Sequence, residues 1–395
     1  MASGRAKTIP ASPIRKLIPY ADEAKRKGVN VYHLNIGQPD IPTPTPFWKA
    51  IQNYNEKVLA YGPSDGLLTL RETVAKYYQS FGAQIEASNV FITTGGSEAI
   101  LFIYMILGDR GDEFLIPEPV YANYITLAAT AQVKLIPIPT SVLQGFHLPT
   151  QKEIERLITP KTRGIIICSP NNPTGAVYTR DEMEQVADIA ERHHIFIISD
   201  EVYREFLFDG KKHTSILNIP EMDEYAVVID SISKRFSACG ARIGAVITKN
   251  DSILKSLMLY GMPRLCPPTI EQVGAVQLFK RMKEFMPQMI QEYESRRNIV
   301  YEELQKIKGA FARLPEGAFY MTCRLPVSDA EKFAKWMLTS FQIDNKTTMI
   351  APAEGFYITH KKGRNEARIA YVLKADELKD AMQILSKGLE KFLNC

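Results

Sequence analysis

Runs of aliphatic and β-branched residues without polar alternation recur through the middle of this chain, and they limit its fold more than any other feature. They are Asn89–Thr93, Glu113–Ile116, Lys134–Ile138, Gly164–Cys168, Ile195–Ser199, Ala226–Ile229 and Arg242–Ile247. A strand that is apolar on both faces has to be covered on both faces, the condition met in a mostly parallel sheet between helical layers. Helical patterns fall between the runs. In the clearest, Thr179 stands at a capping position, Glu182 three residues on can complete a capping box, and Met183, Val186, Ile189 and Ala190 form one apolar stripe. Strand, capped helix and strand over 164–199 make a βαβ unit. The expected fold is α/β, with a doubly wound, mostly parallel sheet of seven strands.

The pattern changes after about residue 284. Ile290, Tyr293, Val300, Leu304 and Ile307 recur at helical spacing, a strand-like segment covers Ala318–Arg324, and a last helix is striped by Leu378, Met382, Leu385 and Leu389. The first 45 residues hold Pro10, Pro13, Pro19, Pro39, Pro42 and Pro44, too many for a central strand. The expected division is therefore an N-terminal arm over 1–45, a large domain over 46–283 and a smaller C-terminal α/β domain over 284–395.

Of 395 residues, 48 are Lys or Arg and 44 are Asp or Glu, leaving +4, and the cations are dispersed. That balance argues against a nucleic-acid partner. No apolar run approaches the ~18 residues of a membrane span, and the first residues lack the apolar core of a signal peptide. Five widely spaced cysteines and six scattered histidines provide neither a disulfide framework nor metal-ligand spacing. The expectation is a cytoplasmic protein with no metal and no membrane partner.

The chemistry lies in the segments that follow the apolar runs. Thr94-Gly95-Gly96-Ser97 leads from a strand into an apolar helix pattern, where free backbone N–H groups suit a phosphate or simply make a turn. Asn171-Asn172-Pro173-Thr174-Gly175, then Asp200-Glu201-Val202-Tyr203, then Ser231-Ile232-Ser233-Lys234 follow successive strands, with Arg242 eight residues further on. Singly these read as a turn, a helix cap and solvated charges. At successive strand ends of an open α/β sheet they converge on one site. No Gly-x-Gly-x-x-Gly or Walker sequence is present, which counts against NAD and ATP.

In this order the motifs resemble the class I/II aminotransferases, pyridoxal-phosphate enzymes of fold type I, and most nearly their aspartate aminotransferase-like branch. The likeness extends from Leu34–Asp40 to Ala367–Tyr371. It implies that Lys234 holds the cofactor as a Schiff base and then carries protons, while Asp200 pairs with the pyridinium nitrogen. Tyr203 and Asn172 would bond the ring oxygen, and Tyr121 would stack on the ring. Gly96, Ser97, Ser231 and Arg242 would hold the phosphate, with Ser233 a further candidate. Arg368 would bind the substrate α-carboxylate through its planar fork, assisted by Asn172 and a main-chain contact from Gly37. Tyr61 matches a tyrosine that reaches the phosphate of a second subunit, which implies a homodimer with shared sites.

The implied reaction moves the amino group of an aspartate-like, aromatic or alanine-type L-amino acid to a 2-oxo acid, 2-oxoglutarate being the expected acceptor. A β- or γ-eliminating lyase on the same scaffold is the alternative. Ser97 stands where some aspartate enzymes of the branch carry a lysine, and Ala241 where a tryptophan is common. Arg264 is either the missing partner for a side-chain carboxylate or the brace of a tight turn beside Pro267-Pro268.

Overall fold

Strand β1 (Asn30–His33) stands apart from the central sheet, which is built from β2 (Val90–Thr93), β3 (Glu113–Glu118), β4 (Lys134–Pro139), β5 (Thr162–Cys168), β6 (Phe196–Asp200), β7 (Ala226–Ser231) and β8 (Gly244–Ile247). This computed structural model describes Ile9 and residues 13–394. The seven central strands run in the order β2-β8-β7-β6-β5-β3-β4, with β8 antiparallel to both neighbours and the other pairs parallel. The expected fold class is therefore the one observed. Ile165, Ile166 and Ile167 of β5 are fully or almost fully buried, as a strand covered on both faces requires.

The helix Arg180–His193 returns the chain from β5 to β6. Glu182 N donates to Thr179 Oγ1 at 3.2 Å and Thr179 N donates to Glu182 Oε2 at 2.8 Å, so the capping box is closed from both sides. Its Met183, Val186, Ile189 and Ala190 are buried against the sheet.

Two strands begin two residues later than the sequence reading places them. Arg242 precedes β8 instead of opening it, at φ 54° after a short 3-10 turn, and Ala318 precedes its strand at φ 57°. Both residues leave the extended region so that the chain can bend sharply before pairing begins.

The long helix after the sheet is Met286–Gln305, and Tyr293, Val300 and Leu304 form its buried stripe, while Ile307 is buried just past its end. Strand β9 (Tyr320–Arg324) pairs with β12 (Glu366–Ala370), and β12 with β11 (Ala351–Pro352), all antiparallel. The final helix Ala375–Leu393 buries the whole expected leucine stripe. The arm stays out of the central sheet. Its β1 instead pairs in parallel with β10 (Lys346–Met349), and the following residues cross toward the sheet, where Thr43 Oγ1 donates to the Ser237 carbonyl at 2.6 Å.

Candidate active site

Strand register decides what meets at the C-terminal edge of the sheet. Thr93 and Ser231 both lie opposite Gly244, so the Gly95-Gly96 turn, the Ser231 turn and Arg242 become neighbours. Cys168 pairs with Asp200, which sets the Asn172 loop beside the start of the Asp200–Tyr203 turn. The small antiparallel sheet approaches from the other side: Arg368 is in register with Thr322, whose hydroxyl donates to the Pro173 carbonyl at 2.9 Å. One cavity of about 700 Å³ results, and Gly37, Gly96, Ser97, Tyr121, Asn172, Asp200, Tyr203, Ser231, Ser233, Lys234, Arg242 and Arg368 all line it. Tyr61 does not; its side chain is 79% exposed on the surface.

One end of the cavity is built for an anion. The helix Gly96–Leu107 has no side-chain cap, which leaves its first amides open. Arg242 is folded back by its left-handed backbone, Nη1 donating to the Cys239 carbonyl at 2.9 Å. A Cβ on Gly95, at φ 75°, would lie 2.2 Å from Arg242 Nη2, so only glycine allows this approach. Ser231 Oγ accepts from Ser233 N at 3.1 Å and lies 2.8 Å from Ser233 Oγ, which ties both hydroxyls to the same turn.

At the centre, Asp200 accepts from Tyr124 Oη at 2.5 Å and from Val202 N at 3.2 Å. Burial pushes its carboxyl up from 3.8 to about 6; the Tyr124 and Val202 bonds pull the other way, and Asp230 and Glu201 add to the rise. Asn172 Nδ2 lies 3.4 Å from Tyr203 Oη, which is 2.9 Å from Tyr320 Oη. Lys234 sits on the one-turn helix Ile232–Arg235, and its Nζ donates to the Gly37 carbonyl at 2.7 Å. Desolvation lowers the Lys234 ammonium below the ordinary lysine range; Cys239, 3.7 Å away, opposes this, and the Arg368 and Arg242 charges add to the lowering.

Arg368 forms the other end. It is buried, and its fork donates to Asn172 Oδ1 at 3.0 Å and to the Asn35 carbonyl at 2.5 Å. Its Nε has no partner, an open donor that suits an arriving carboxylate. A surface ion pair with Glu366 does not form, since that carboxylate accepts from Tyr357 Oη at 2.5 Å.

Arg264 lies outside the cavity. Its Nη2 donates to the carbonyls of Ser64 and Ile92 at 3.2 and 3.3 Å, and its Nε is 3.4 Å from Glu98 Oε2, so it braces the turn. Sequence reasoning missed Tyr124, Tyr320, Asn35 and Cys239. Tyr124 was within reach, because it lies three residues after Tyr121 on one helical face. Tyr320 and Asn35 arrive from distant segments and carry no local signal. Behind the Lys234 turn, Asp230 receives two bonds of 3.0 Å from the fully buried Arg235 and one of 3.0 Å from Tyr78 Oη.

The donor set fits pyridoxal phosphate: open helix amides, two hydroxyls and a guanidinium for the phosphate, a buried carboxyl for a ring nitrogen, and a desolvated lysine between them. Among the described residues no helix is long and apolar enough to cross a membrane, and no cluster of three or more His, Cys, Asp and Glu side chains could hold a metal ion.

Comparison with known proteins agrees with this geometry. The family described as "Aminotransferase class I and II" matches residues 29–385. The aspartate aminotransferase of Pyrococcus horikoshii is 32% identical over 392 residues, covering 98% of this chain and 96% of that protein. Aromatic-amino-acid aminotransferase 2 of Thermococcus litoralis is 31% identical and covers 98% of each. Among solved structures, the alanine aminotransferase from Pyrococcus furiosus superposes with a TM-score of 0.91 at 26% identity, covering 99% of this chain and 100% of that one. The aspartate aminotransferase from Thermotoga maritima gives 0.89 at 29% identity with full coverage of both. With an anion cradle, a desolvated lysine and a carboxylate fork in one cavity, the chain belongs to the class I and II aminotransferases and is a pyridoxal-phosphate-dependent enzyme.

Proposed function

We propose that this aminotransferase passes the amino group of an aspartate-like, aromatic or alanine-type L-amino acid to a 2-oxo acid, with 2-oxoglutarate as acceptor and Lys234 as the amine that joins the cofactor. The observation that carries the reading is the place of Lys234 Nζ, between an anion cradle and a buried arginine fork, with its proton affinity lowered by desolvation. When bound, the cofactor supplies an electrophilic carbon for amines and an electron sink for the substrate's α-carbon.

The chain's own residues divide the remaining work. A lysine below its ordinary range has more neutral amine at neutral pH, so Lys234 serves as nucleophile, then takes the α-proton and returns it. Asp200 is the anion assigned to the ring nitrogen, and the Tyr124 hydroxyl keeps charge on it. Tyr203 and Asn172 hold the ring oxygen, Tyr121 covers the ring, and Gly96, Ser97, Ser231, Ser233 and Arg242 hold the phosphate. Arg368, oriented by Asn172 and Asn35, binds the α-carboxylate of donor and acceptor alike, with the Gly37 main chain beside it. The arm, the large domain and the small domain are the parts that close together and exclude water.

The same reading makes the enzyme a homodimer. Tyr61, Val58, Leu59 and Leu68 are exposed, as are Leu259, Met262 and Leu265, and Arg264 joins the two segments through the Ser64 carbonyl. A patch of this kind suits a second copy of the chain, with Tyr61 entering that copy's phosphate end. A cytoplasmic location suits Cys168, Cys239, Cys266 and Cys323, which are unpaired. An absorbance screen of L-amino acids against the holoenzyme tests the reaction. Transamination converts the cofactor to its aminated form and yields a 2-oxo acid, whereas release of ammonia with the cofactor spectrum unchanged contradicts it and identifies a lyase.

A further inference from the structure

The cavity holds one more cation than the proposed reaction uses. Its cationic lining is Arg15, Lys234, Arg242 and Arg368. Its carboxylates are Asp200 and Asp230, and Asp230 is already neutralised by Arg235 from behind. With Arg242 on the phosphate, Lys234 on the cofactor and Arg368 on the α-carboxylate, Arg15 remains.

The segment that carries Arg15 is anchored on every side except through Arg15 itself. Pro13 packs against Gly355, where an added Cβ would lie 2.3 Å from Pro13 Cβ. Ile14 packs on the cluster of Ala122, Phe356 and Tyr357, and the Phe356 ring lies 5.0 Å from the Arg368 guanidinium. Lys16 pairs with Glu331, and Leu17 is buried. Arg15 is exposed at the cavity mouth, and among the described residues its side chain forms no ion pair and no hydrogen bond. Its neighbours thus hold the backbone beside the α-carboxylate end while a free guanidinium borders the space that a substrate side chain would occupy. Ile14, Ile18 and Ile36 line the same rim, so an apolar side chain also finds contacts there when the flexible arginine turns outward.

We infer that Arg15 binds the side-chain carboxylate of dicarboxylic substrates and is the residue that admits aspartate, glutamate and 2-oxoglutarate to this site. This rests on the aminotransferase reading above, and within one chain Arg264 lies outside the cavity and leaves this role to Arg15.

The test uses holoenzyme, wild type and the variants Arg15→Gln and Arg15→Lys. First half-reactions are measured with aspartate, glutamate, alanine and phenylalanine, and the dissociation constant of maleate, an unreactive dicarboxylate, is read from cofactor absorbance. Arg15→Gln is expected to weaken maleate binding and the two dicarboxylic half-reactions about 10- to 100-fold, the worth of a hydrogen-bonded charge. Alanine and phenylalanine should stay near wild type, and Arg15→Lys should recover part of the loss. Equal losses for all four amino acids, or unchanged maleate and aspartate, overturn the assignment. So does a wild-type enzyme that converts alanine or phenylalanine but neither binds maleate nor accepts dicarboxylates. If wild type converts none of the four, the aminotransferase reading fails instead, and the maleate constants alone decide for or against Arg15.

Discussion

The two walls of the cavity are made differently. On the sheet side, Asp200, Ser231 and Asn172 are buried at strand ends, and nearly every polar atom has a partner that fixes it. On the arm side, Arg15, Ile36 and Gln38 are exposed, and neither Arg15 nor Gln38 has a side-chain partner among the described residues. The sheet wall is set before anything binds, which suits a cofactor whose electronics depend on fixed charges. The arm wall can adjust to what arrives, which suits substrates that share an α-carboxylate and differ beyond it.

The largest test of the contrast is Lys234→Ala. It removes nucleophile and proton carrier together, so turnover should fall by several orders of magnitude while the cofactor still binds through the phosphate end. Residual activity near wild type would show that the sheet wall does not carry the chemistry. Arg368→Lys keeps the charge but loses the fork, and should raise KM for every amino acid by about 30-fold or more. A rise limited to dicarboxylic substrates would move Arg368 to the side-chain end.

A smaller effect concerns pH. In the cofactor-free protein the Asp200 carboxyl titrates near 6 instead of 3.8, so the native state holds its proton more tightly than the unfolded chain. That contribution to stability is complete below pH 3.8 and is lost as pH rises through about 6. Asp200→Asn never ionises there, so the variant should gain on wild type across this window, reaching about 3 kcal/mol at neutral pH. Denaturant melts of both cofactor-free proteins at several pH values measure it, and a constant difference contradicts it. Tyr124→Phe should be the mildest: without its hydroxyl the Asp200 carboxyl rises further, and cofactor affinity near neutrality should fall about tenfold. Unchanged affinity and an unchanged Asp200 titration would make Tyr124 only packing.

The sheet wall was also the legible one. Continuous apolar runs disclose strands, and polar motifs directly after them disclose strand ends, so the sequence alone brings Lys234, Asp200 and Arg242 to one site. The misreadings at Arg242 and Ala318 arise where a non-glycine residue adopts a left-handed backbone, a choice imposed by tertiary contacts. The buried Arg296 and Arg297 of the long helix, paired with Asp40 and Asp209, broke an otherwise readable stripe because their partners lie far away in sequence. Arg15 was illegible for the same reason. Nothing near it in the chain marks a ligand, and only the anchoring of Pro13, Ile14 and Lys16 brings it to the cavity.

Borohydride reduction of the holoenzyme followed by peptide mass mapping tests the central claim most directly. The account predicts that the reduced cofactor's mass is fixed to the peptide containing Lys234 and is absent from that peptide in Lys234→Ala. Its appearance on any other lysine, or on none, would contradict the account.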